Sequence, residues 1–311
     1  MPDALSQILT VLRLRGSVYF HTHFSPPWGV AVPQFGNVAR FHMAMRGHCW
    51  LRVAGVATPY RLETGDLAVI PHGAAHVLSD TPDGGALPVD DVIARTGYAG
   101  EGALSLGDGD TDQACKLFCG HFEFHEGATH PVLNALPACI HVPNTQSLNT
   151  AWLDSVIRFV SAEVVAGQAG SDAIVHRLSE IVFIQVIRAF VAEAGDGAGA
   201  LAGVLDTKIG KSLAALHASP ARAWTVEALA AEAGMSRTVF AERFTALMGE
   251  TPLRYLTDWR MRIARRDLIE GDRAMIEIGE SIGYQSEAAF NRAFRRHYGM
   301  TPGEVRRSQR P

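Results

Sequence analysis

A seventeen-residue pattern occurs twice near the C-terminus, and it narrows the fold of this chain more than any other feature. The first copy, SRTVFAERFTALMGETP, spans 236–252, and the second, SEAAFNRAFRRHYGMTP, spans 286–302. Counted from the serine, both copies have Phe at the fifth and ninth positions, Gly at the fourteenth and Thr-Pro at the end. Serine can cap the start of a helix and glycine can end one. Each copy therefore predicts a helix with a fixed start and a fixed end.

The residues before each copy also match. Leu229 and Ala230 precede Gly234 by five and four positions, as Ile278 and the residue after it precede Gly283. The pattern predicts a short helix, a turn containing glycine and a longer second helix, which is a helix-turn-helix. The small residues Ala230 and Gly279 would let the two helices of each unit cross closely.

The two copies share an inward face and differ on the outward one. Their phenylalanines are one helical turn apart, which predicts a face packed on a core. Polar side chains on the other face can read base edges, and arginines can bind phosphates. The outward residues are Arg237, Thr238, Ala241, Glu242 and Thr245 in the first copy, and Glu287, Ala288, Asn291, Arg292, Arg295 and Arg296 in the second.

Charge is distributed unevenly along the chain. The whole sequence carries a net charge of −4, with −8 on residues 1–205 and +4 on residues 206–311. A basic segment on an acidic chain favours an anionic partner for that segment. The repeated pattern and the charge together predict binding to double-stranded DNA.

Residues 206–311 resemble the DNA-binding domain of the AraC/XylS family of bacterial transcription regulators. The resemblance is carried by AxxxGMS…F…RF…G…TP, followed by I…GY…S…F…AF…GMTPGEVRR. It implies helix-turn-helix units at about 225–249 and 274–298, joined by a linker helix at 252–270. The resemblance implies base contacts at Thr238, Ala241, Glu242, Glu287, Ala288 and Arg292. The candidate DNA-contacting set also includes Ser236, Arg237, Arg260, Asn291, Arg295 and Arg296. The acidic Glu242 and Glu287 stand where the family often has Gln or Arg.

The N-terminal part has short β-type runs separated by Gly and Pro, which predict a barrel or sandwich. GDLAVIPHGAAH, residues 65–76, fits the spacing G-x5-P-x-G-x2-H, and with its flanking strands it resembles the second motif of the cupin barrel. We therefore predict a cupin-like β-barrel as a sensor domain at 1–145. The Gly- and Asp-rich stretch 79–113 is predicted to be a long loop within it.

The resemblance places His76 where the cupin motif has a metal-ligand histidine, and places Arg40 where a glutamate is expected. His42 would share the inward face of its strand with Arg40. We predict a ligand pocket lined by Arg40, His42 and His76. Zinc or another divalent metal is a candidate cofactor at His42 and His76, with Cys119, His121 and His72 as further candidate ligands. A further hypothesis is that Cys119 is a reactive thiolate.

The remaining segment, 146–205, is predicted to be a helical dimerisation and linker region. Its second helix is apolar over a wide face, so we expect a homodimer through residues 149–194. No run of about 18 apolar residues is present, which predicts no membrane span and a cytoplasmic protein.

The predicted fold class is an α+β multidomain chain with an all-α C-terminal domain containing two helix-turn-helix units. The predicted function is a transcription regulator, not an enzyme, that senses a small molecule, a metal or a redox signal. The alternative is a cupin metalloenzyme with an appended DNA-binding module.

Overall fold

The computed structural model describes residues 2–12, 15–36, 38–100, 102–107, 112–124, 130–144, 151–166 and 168–308. The chain divides into two compact units. We call Arg13–Ala198 the sandwich unit, and Met1–Leu12 together with Gly199–Pro311 the helical unit. This division differs from the predicted boundaries after 145 and 205. An N-terminal helix packs within the helical unit, and the two helices between residues 151 and 194 pack within the sandwich unit.

The strands of the sandwich unit are mostly short. In chain order they are β1 (Arg15–Phe24), β2 (Gly29–Val32), β3 (Val38–Arg46), β4 (Cys49–Val53), β5 (Tyr60–Leu62), β6 (Leu67–Ile70), β7 (His76–Ser79), β8 (Leu87–Pro88), β9 (Ala103–Leu106), β10 (Lys116–Glu123) and β11 (Ile140–Val142).

The helices account for most of the remaining described residues. In chain order they are α1 (Ala4–Leu12), α2 (Val89–Thr96), α3 (Pro131–Asn134), α4 (Ala151–Ala166), α5 (Ser171–Ala194), α6 (Ala200–Leu205), α7 (Ile209–Ala218), α8 (Val226–Glu232), α9 (Arg237–Met248), α10 (Pro252–Glu270), α11 (Met275–Ser281), α12 (Glu287–Tyr298) and α13 (Pro302–Ser308). A short 3-10 helix, Gly195–Ala198, follows α5.

The strands form two sheets that share an apolar core. One sheet has the order β11-β6-β3-β10-β1-β9, and the other has the order β5-β4-β7-β2-β8. The sheets are mainly antiparallel, with parallel pairs at β1–β9 and β2–β8. Side chains from both sheets meet in one cluster, in which Leu51 and Leu78 from one sheet pack with Ala68 and Leu117 from the other.

The prediction of a β-barrel is wrong in one respect, because the described strands form two separate sheets and do not close. A closed barrel would have no edge strands. Here β11 and β9 are the edges of the first sheet, and β5 and β8 are the edges of the second. Alternation within each strand still buries one face, as in β4, where Cys49, Leu51 and Val53 are buried and the residues between them are half-buried.

The predicted loop 79–113 contains regular structure. It includes β8, α2 and β9. Helix α2 has Asp90 and Asp91 in its first turn, where acidic side chains favour the helix dipole, and it ends at Gly97, which adopts a left-handed conformation with φ of 66°. Val92 is completely buried in the core that the two sheets share. Burial of this apolar residue stabilises a helix in a stretch whose Gly and Asp content predicted a loop.

The helical unit is built from short capped helices. Thr225 and Ser236 cap α8 and α9 by accepting hydrogen bonds from the backbone N–H groups of Ala228 and Val239. Ser286 caps α12 in the same way. Helix α10 begins at Pro252, the helix position that tolerates proline best. These helices begin and end within the segments predicted from the repeated pattern.

Helix α1 belongs to the helical unit. Ala4, Leu5, Ile8 and Leu12 are buried, at the spacing of one helix face. The helix packs against α6, α7 and α10. The N-terminus therefore supplies a piece of the helical core, although it is far from that core in sequence.

Among the helices that the structure describes, none has the length and apolar character needed to cross a membrane.

Candidate functional site

The sandwich unit contains a cavity of about 270 Å³ between the two sheets and helix α2. Most of its wall is apolar, and a polar strip lies along β3 and β10. The lining residues are Thr22, Phe24, Val30, Val32, Phe35, Arg40, His42, Leu78, Val89, Asp90, Ile93, Leu104, Cys119 and His121.

The pairing of β3 with β10 brings the side chains of the polar strip together. In the antiparallel ladder of β3 and β10, His42 is directly opposite Cys119, and Arg40 is directly opposite His121. Because alternate residues of a strand point to the same face, all four side chains lie on one side of the sheet. As predicted, Arg40 and His42 lie on the same face of their strand. Cys119 and His121 line the cavity with them.

A chain of hydrogen bonds runs from Cys119 through His42 to His76. The Nδ1 atom of His42 is 3.1 Å from the Cys119 Sγ atom, and its Nε2 atom is 2.8 Å from the Nε2 atom of His76. The Nδ1 atom of His76 is 2.8 Å from the carbonyl oxygen of Ala74. All three side chains are at most 3% exposed. We call Cys119, His42 and His76 the thiol–imidazole relay.

The proton on each atom of the relay follows from its partner. A carbonyl oxygen only accepts, so His76 Nδ1 carries a proton and donates to Ala74. In a neutral ring the His76 Nε2 atom is then an acceptor, so His42 donates to it through Nε2. His42 Nδ1 is left as the acceptor for the Cys119 S–H group. Each member donates one hydrogen bond in the same direction along the relay.

The surroundings keep the relay neutral. Burial, together with the charges of His76 and Arg40, lowers the pKa of His42 well below its usual range. Burial lowers the pKa of His76 to about 4. Burial also raises the pKa of the Cys119 thiol, and Arg40 opposes this by favouring the thiolate. The resting form at neutral pH is a thiol and two neutral imidazoles.

As arranged here, the predicted metal ligands do not fit one metal ion. Two nitrogens bound to one tetrahedral zinc ion are about 3.3 Å apart, since each is about 2 Å from the metal. The two Nε2 atoms are closer than that, and Cys119 contacts the opposite edge of the His42 ring. The described residues contain no group of three or more His, Cys, Asp or Glu side chains that could hold a metal.

The two remaining metal candidates have other partners. His72 Nε2 is 2.8 Å from the carbonyl oxygen of Leu136. His121 Nε2 is 2.8 Å from a carboxylate oxygen of Glu123. The structure therefore places neither next to the relay histidines, although His121 lines the same cavity.

In the helical unit, the predicted reading face of α9 is exposed. Phe240 and Phe244 are completely buried. On the other side, Thr238 and Glu242 are exposed and Ala241 is half-buried. Ser236 is exposed as well, and its hydroxyl is used to cap the helix.

Sequence reasoning missed one residue on this face. Val239 is 53% exposed, although it is a large apolar residue. It precedes Phe240 in the copy, so the apolar pattern alone assigns it no outward role. An exposed aliphatic group on such a helix can contact the methyl group of thymine.

The arginines of the first copy have partners within the protein. Arg237 pairs with Glu227, and Arg243 pairs with Asp206. Arg260 is half-buried, and its guanidinium donates to the carbonyl oxygens of Pro220 and Arg222. These bonds tie Arg260 to the turn before α8, and its contact with DNA stays a prediction.

The second copy presents more charge to solvent. Phe290 and Phe294 are completely buried. Gly279 of α11 lies against Phe290, so a Cβ atom there would be 3.1 Å from the Cβ of Phe290, which explains the small residue. The exposed outward residues are Glu287, Ala288, Arg292, Arg295 and Arg296, and Asn291 is half-buried.

Comparison with known proteins finds a family for each part of the chain. Residues 3–192 match the cupin family model, and residues 229–308 match a helix-turn-helix domain model. A protein of Streptomyces lividans described as an AraC-like transcription regulator is 33% identical over 98% of both chains. The HTH-type transcriptional regulator AlkR of Acinetobacter baylyi is 31% identical over 98% of this chain and 99% of its own.

Two further similarities involve Escherichia coli and a solved complex. The RCS-specific HTH-type transcriptional activator RclR of Escherichia coli is 28% identical over 98% of this chain and 97% of its own. The DNA-binding domain of AdpA, solved in complex with a target DNA, is 34% identical over 33% of this chain and 93% of that chain, with a TM-score of 0.31.

The fold and these matches define the chain as a DNA-binding transcription regulator with an N-terminal cupin domain and a C-terminal helix-turn-helix domain. It belongs to the AraC-like family of transcription regulators. The full-length relatives are named as regulators, which supports the prediction that the chain is not an enzyme.

Proposed function

We propose that this regulator binds DNA through two helix-turn-helix units. The first is α8 with α9, the second is α11 with α12, and α10 joins them. In each unit a capped second helix buries two phenylalanines and exposes the opposite face. A helix of this kind fits the major groove of B-DNA. The exposed faces of α9 and α12 are the single observation that carries this proposal.

The two units would contact DNA differently. Thr238 and Glu242 of α9 offer a hydroxyl and a carboxylate, and a carboxylate can accept a hydrogen bond from cytosine. Ser236, Arg237 and Ala241 complete the proposed contact set of this unit.

Helix α12 offers mainly cations. Its proposed contacts are Glu287, Ala288, Asn291, Arg292, Arg295 and Arg296. Arginine binds phosphates at any sequence and reads guanine when it reaches the major-groove edge. The second unit would therefore supply more of the affinity, and the first would contribute through base preference.

Mobility shift and footprinting with the full chain test this proposal. The probe is the DNA upstream of the protein's own gene, with an unrelated fragment of equal length as the control. We expect protection of one face of the duplex over two successive major-groove segments, with affinity that falls as salt rises. Equal binding to both fragments at every salt concentration would refute it.

We further propose that the cavity of the sandwich unit holds the effector. Most of the cavity wall is apolar, and Arg40, His42 and Cys119 supply a few polar groups along β3 and β10. Such a combination is typical of small-molecule sites. An effector that favours one arrangement of the sandwich unit would shift the population of DNA-binding states. Difference density for a bound molecule in crystals of the full chain is the direct test.

A homodimer through helices α4 and α5, within residues 149–194, remains part of the proposal. Three large apolar side chains on these helices, Phe159, Ile174 and Ile181, are between 38% and 50% exposed. A second copy would remove them from water. Sedimentation of wild-type protein and of the double variant Phe159→Ser, Ile181→Ser would distinguish a dimer from a monomer.

Since the proposed target of the regulator is genomic DNA, the proposed compartment is the cytoplasm.

A further inference from the structure

The thiol–imidazole relay has the parts of a nucleophilic site. Cys119 has a hydrogen-bond acceptor, His42 Nδ1, 3.1 Å from its sulfur. An adjacent base is the usual means of activating a cysteine or serine nucleophile. His42 is in turn oriented by its hydrogen bond to His76, so the base has a fixed ring position and a fixed tautomer.

Two members of the relay, Cys119 and His42, line the cavity, and the other described thiols do not. Cys49 and Cys115 are hydrogen-bonded to each other through their side chains, and Cys139 is buried elsewhere in the core. A molecule that enters the cavity therefore meets one thiol, and that thiol is the one with a base beside it.

The cavity wall selects the kind of molecule. Val30, Val32, Leu78 and Ile93 would contact the body of a ligand, and they favour an apolar organic molecule over a small hydrophilic oxidant. Arg40 is in the same wall, and its charge would stabilise an oxygen that becomes negative during a reaction. The relay, the apolar wall and the arginine thus fit one class of reactant.

We propose that Cys119 is the attachment site for an apolar α,β-unsaturated carbonyl compound, with His42 as the base. This inference rests on the proposed role of the cavity as the effector site and deepens it by naming the chemical class of the effector.

The reaction is an addition and needs no oxidant or reductant. The S–H proton moves to His42 Nδ1 as the sulfur attacks the β-carbon, and a C–S bond forms. The π electrons of the C=C bond move toward the carbonyl oxygen, which gains charge near Arg40. His76 accepts a hydrogen bond from the His42 imidazolium through Nε2. The α-carbon then takes one proton, which restores neutral His42 and leaves a thioether.

Three probes separate binding from reaction. Oct-1-en-3-one has an apolar tail and the reactive group, octan-3-one lacks the C=C bond, and but-3-en-2-one lacks the tail. Intact-mass analysis of the full chain should show one adduct with oct-1-en-3-one and none with octan-3-one, and peptide mapping should place it on Cys119. But-3-en-2-one should react more slowly, since it gains less from the apolar wall.

Matched variants test the base. Cys119→Ser should lose the adduct, and Cys139→Ser, which changes a buried thiol outside the cavity, should keep it. His42→Gln should react at least about tenfold more slowly at pH 7, because the thiol proton loses its acceptor. His72→Gln, which alters a histidine outside the relay, should react at the wild-type rate. Melting curves establish that each variant is folded.

The dependence of the reaction rate on pH tests the role of His42 separately from any effect of a substitution on folding. In wild type the proton goes to His42, so the rate should change little between pH 6 and pH 8. In His42→Gln the thiolate must form by losing its proton to water, so the rate should rise about tenfold per pH unit. A tenfold rise per unit in wild type, an adduct on another cysteine or no adduct would each overturn the proposal. These three outcomes are measured on wild-type protein, so they decide the proposal even if His42→Gln does not fold.

A separate measurement of DNA binding distinguishes failure of the covalent proposal from failure of the proposed effector site. An adduct on Cys119 that leaves DNA affinity unchanged would support the covalent site and refute the effector role. If octan-3-one alters DNA affinity and oct-1-en-3-one forms no adduct, the effector site stands and the covalent proposal is refuted.

Discussion

The imidazole of His217 stacks on the indole ring of Trp259, with ring centroids 3.8 Å apart. His217 Nε2 is also 2.8 Å from the hydroxyl oxygen of Tyr255, and the side chain is buried. Burial, aided by the charge of Arg262, lowers the pKa of His217 to about 3. The helical unit thus has a neutral histidine packed between α7 and α10.

This histidine makes the helical unit sensitive to acid. Its folded-state pKa is below the unfolded value of about 6.5, so the unfolded state binds more protons as pH falls. The stabilisation is complete above about pH 6.5 and is lost progressively toward the folded-state pKa of about 3. Between pH 7 and pH 5 we expect a loss of up to about 2 kcal/mol. Calorimetry of the full chain at both pH values measures it.

The control is His217→Phe, which keeps an aromatic ring and removes the titration. We expect a smaller difference between pH 7 and pH 5 for the helical-unit transition of this variant. An unchanged difference would assign the acid sensitivity to other groups.

The phenylalanines of the repeated pattern should dominate the stability of the helical unit. Phe290→Ala removes a completely buried ring that packs with Ile278 and Phe294, and we expect a loss of about 3–5 kcal/mol in the free energy of unfolding. Val239→Ala is the matched control, because Val239 is 53% exposed, and it should change stability by less than about 1 kcal/mol. Denaturant unfolding measures both, and equal effects would contradict the assignment of core and outward faces.

Helix α1 should stabilise the helical unit. Ile8 is completely buried there, so Ile8→Ala is expected to destabilise this unit by about 2–5 kcal/mol. Thr10→Ala, on a less buried position of the same helix, should have little effect. Hydrogen exchange resolved by peptide shows which unit is affected. Loss of protection confined to the sandwich unit would be inconsistent with the packing of α1.

The arginines of the two copies should differ in their response to salt. Arg295 and Arg296 are exposed, and neither forms an ion pair with another described residue, whereas Arg237 pairs with Glu227. Removing one phosphate contact lowers the slope of log affinity against log salt by about one. We expect that decrease for Arg295→Ala or Arg296→Ala and a smaller one for Arg237→Ala. Fluorescence anisotropy over a salt series would count against this account if the order were reversed.

Much of the helical unit was predictable because its information is local. Ser236 and Ser286 cap helices, Gly249 and Gly299 end them in left-handed conformations, and Pro252 begins the next one. Each of these signals acts within a few residues of the chain. The contribution of α1 was not predictable, because the partners of its apolar face are about 200 residues away.

The cavity was predictable only in part. Strand alternation puts Arg40 with His42, and Cys119 with His121. The pairing of His42 with Cys119 depends on a register between strands 77 residues apart, and the contact with His76 depends on how the two sheets pack. Neither is encoded in a short pattern. Helix α2 was missed for the same reason, since burial of Val92 by distant strands stabilises it.

Selection of binding sites from random-sequence DNA by the full chain tests the central claim most directly. Two unlike units should select two unlike blocks of bases about 10 base pairs apart, centre to centre. Thr238→Ala or Glu242→Gln should change preference in one block only, and Arg292→Ala should change it in the other only. A single block, or recovered DNA with no common sequence, would contradict the account.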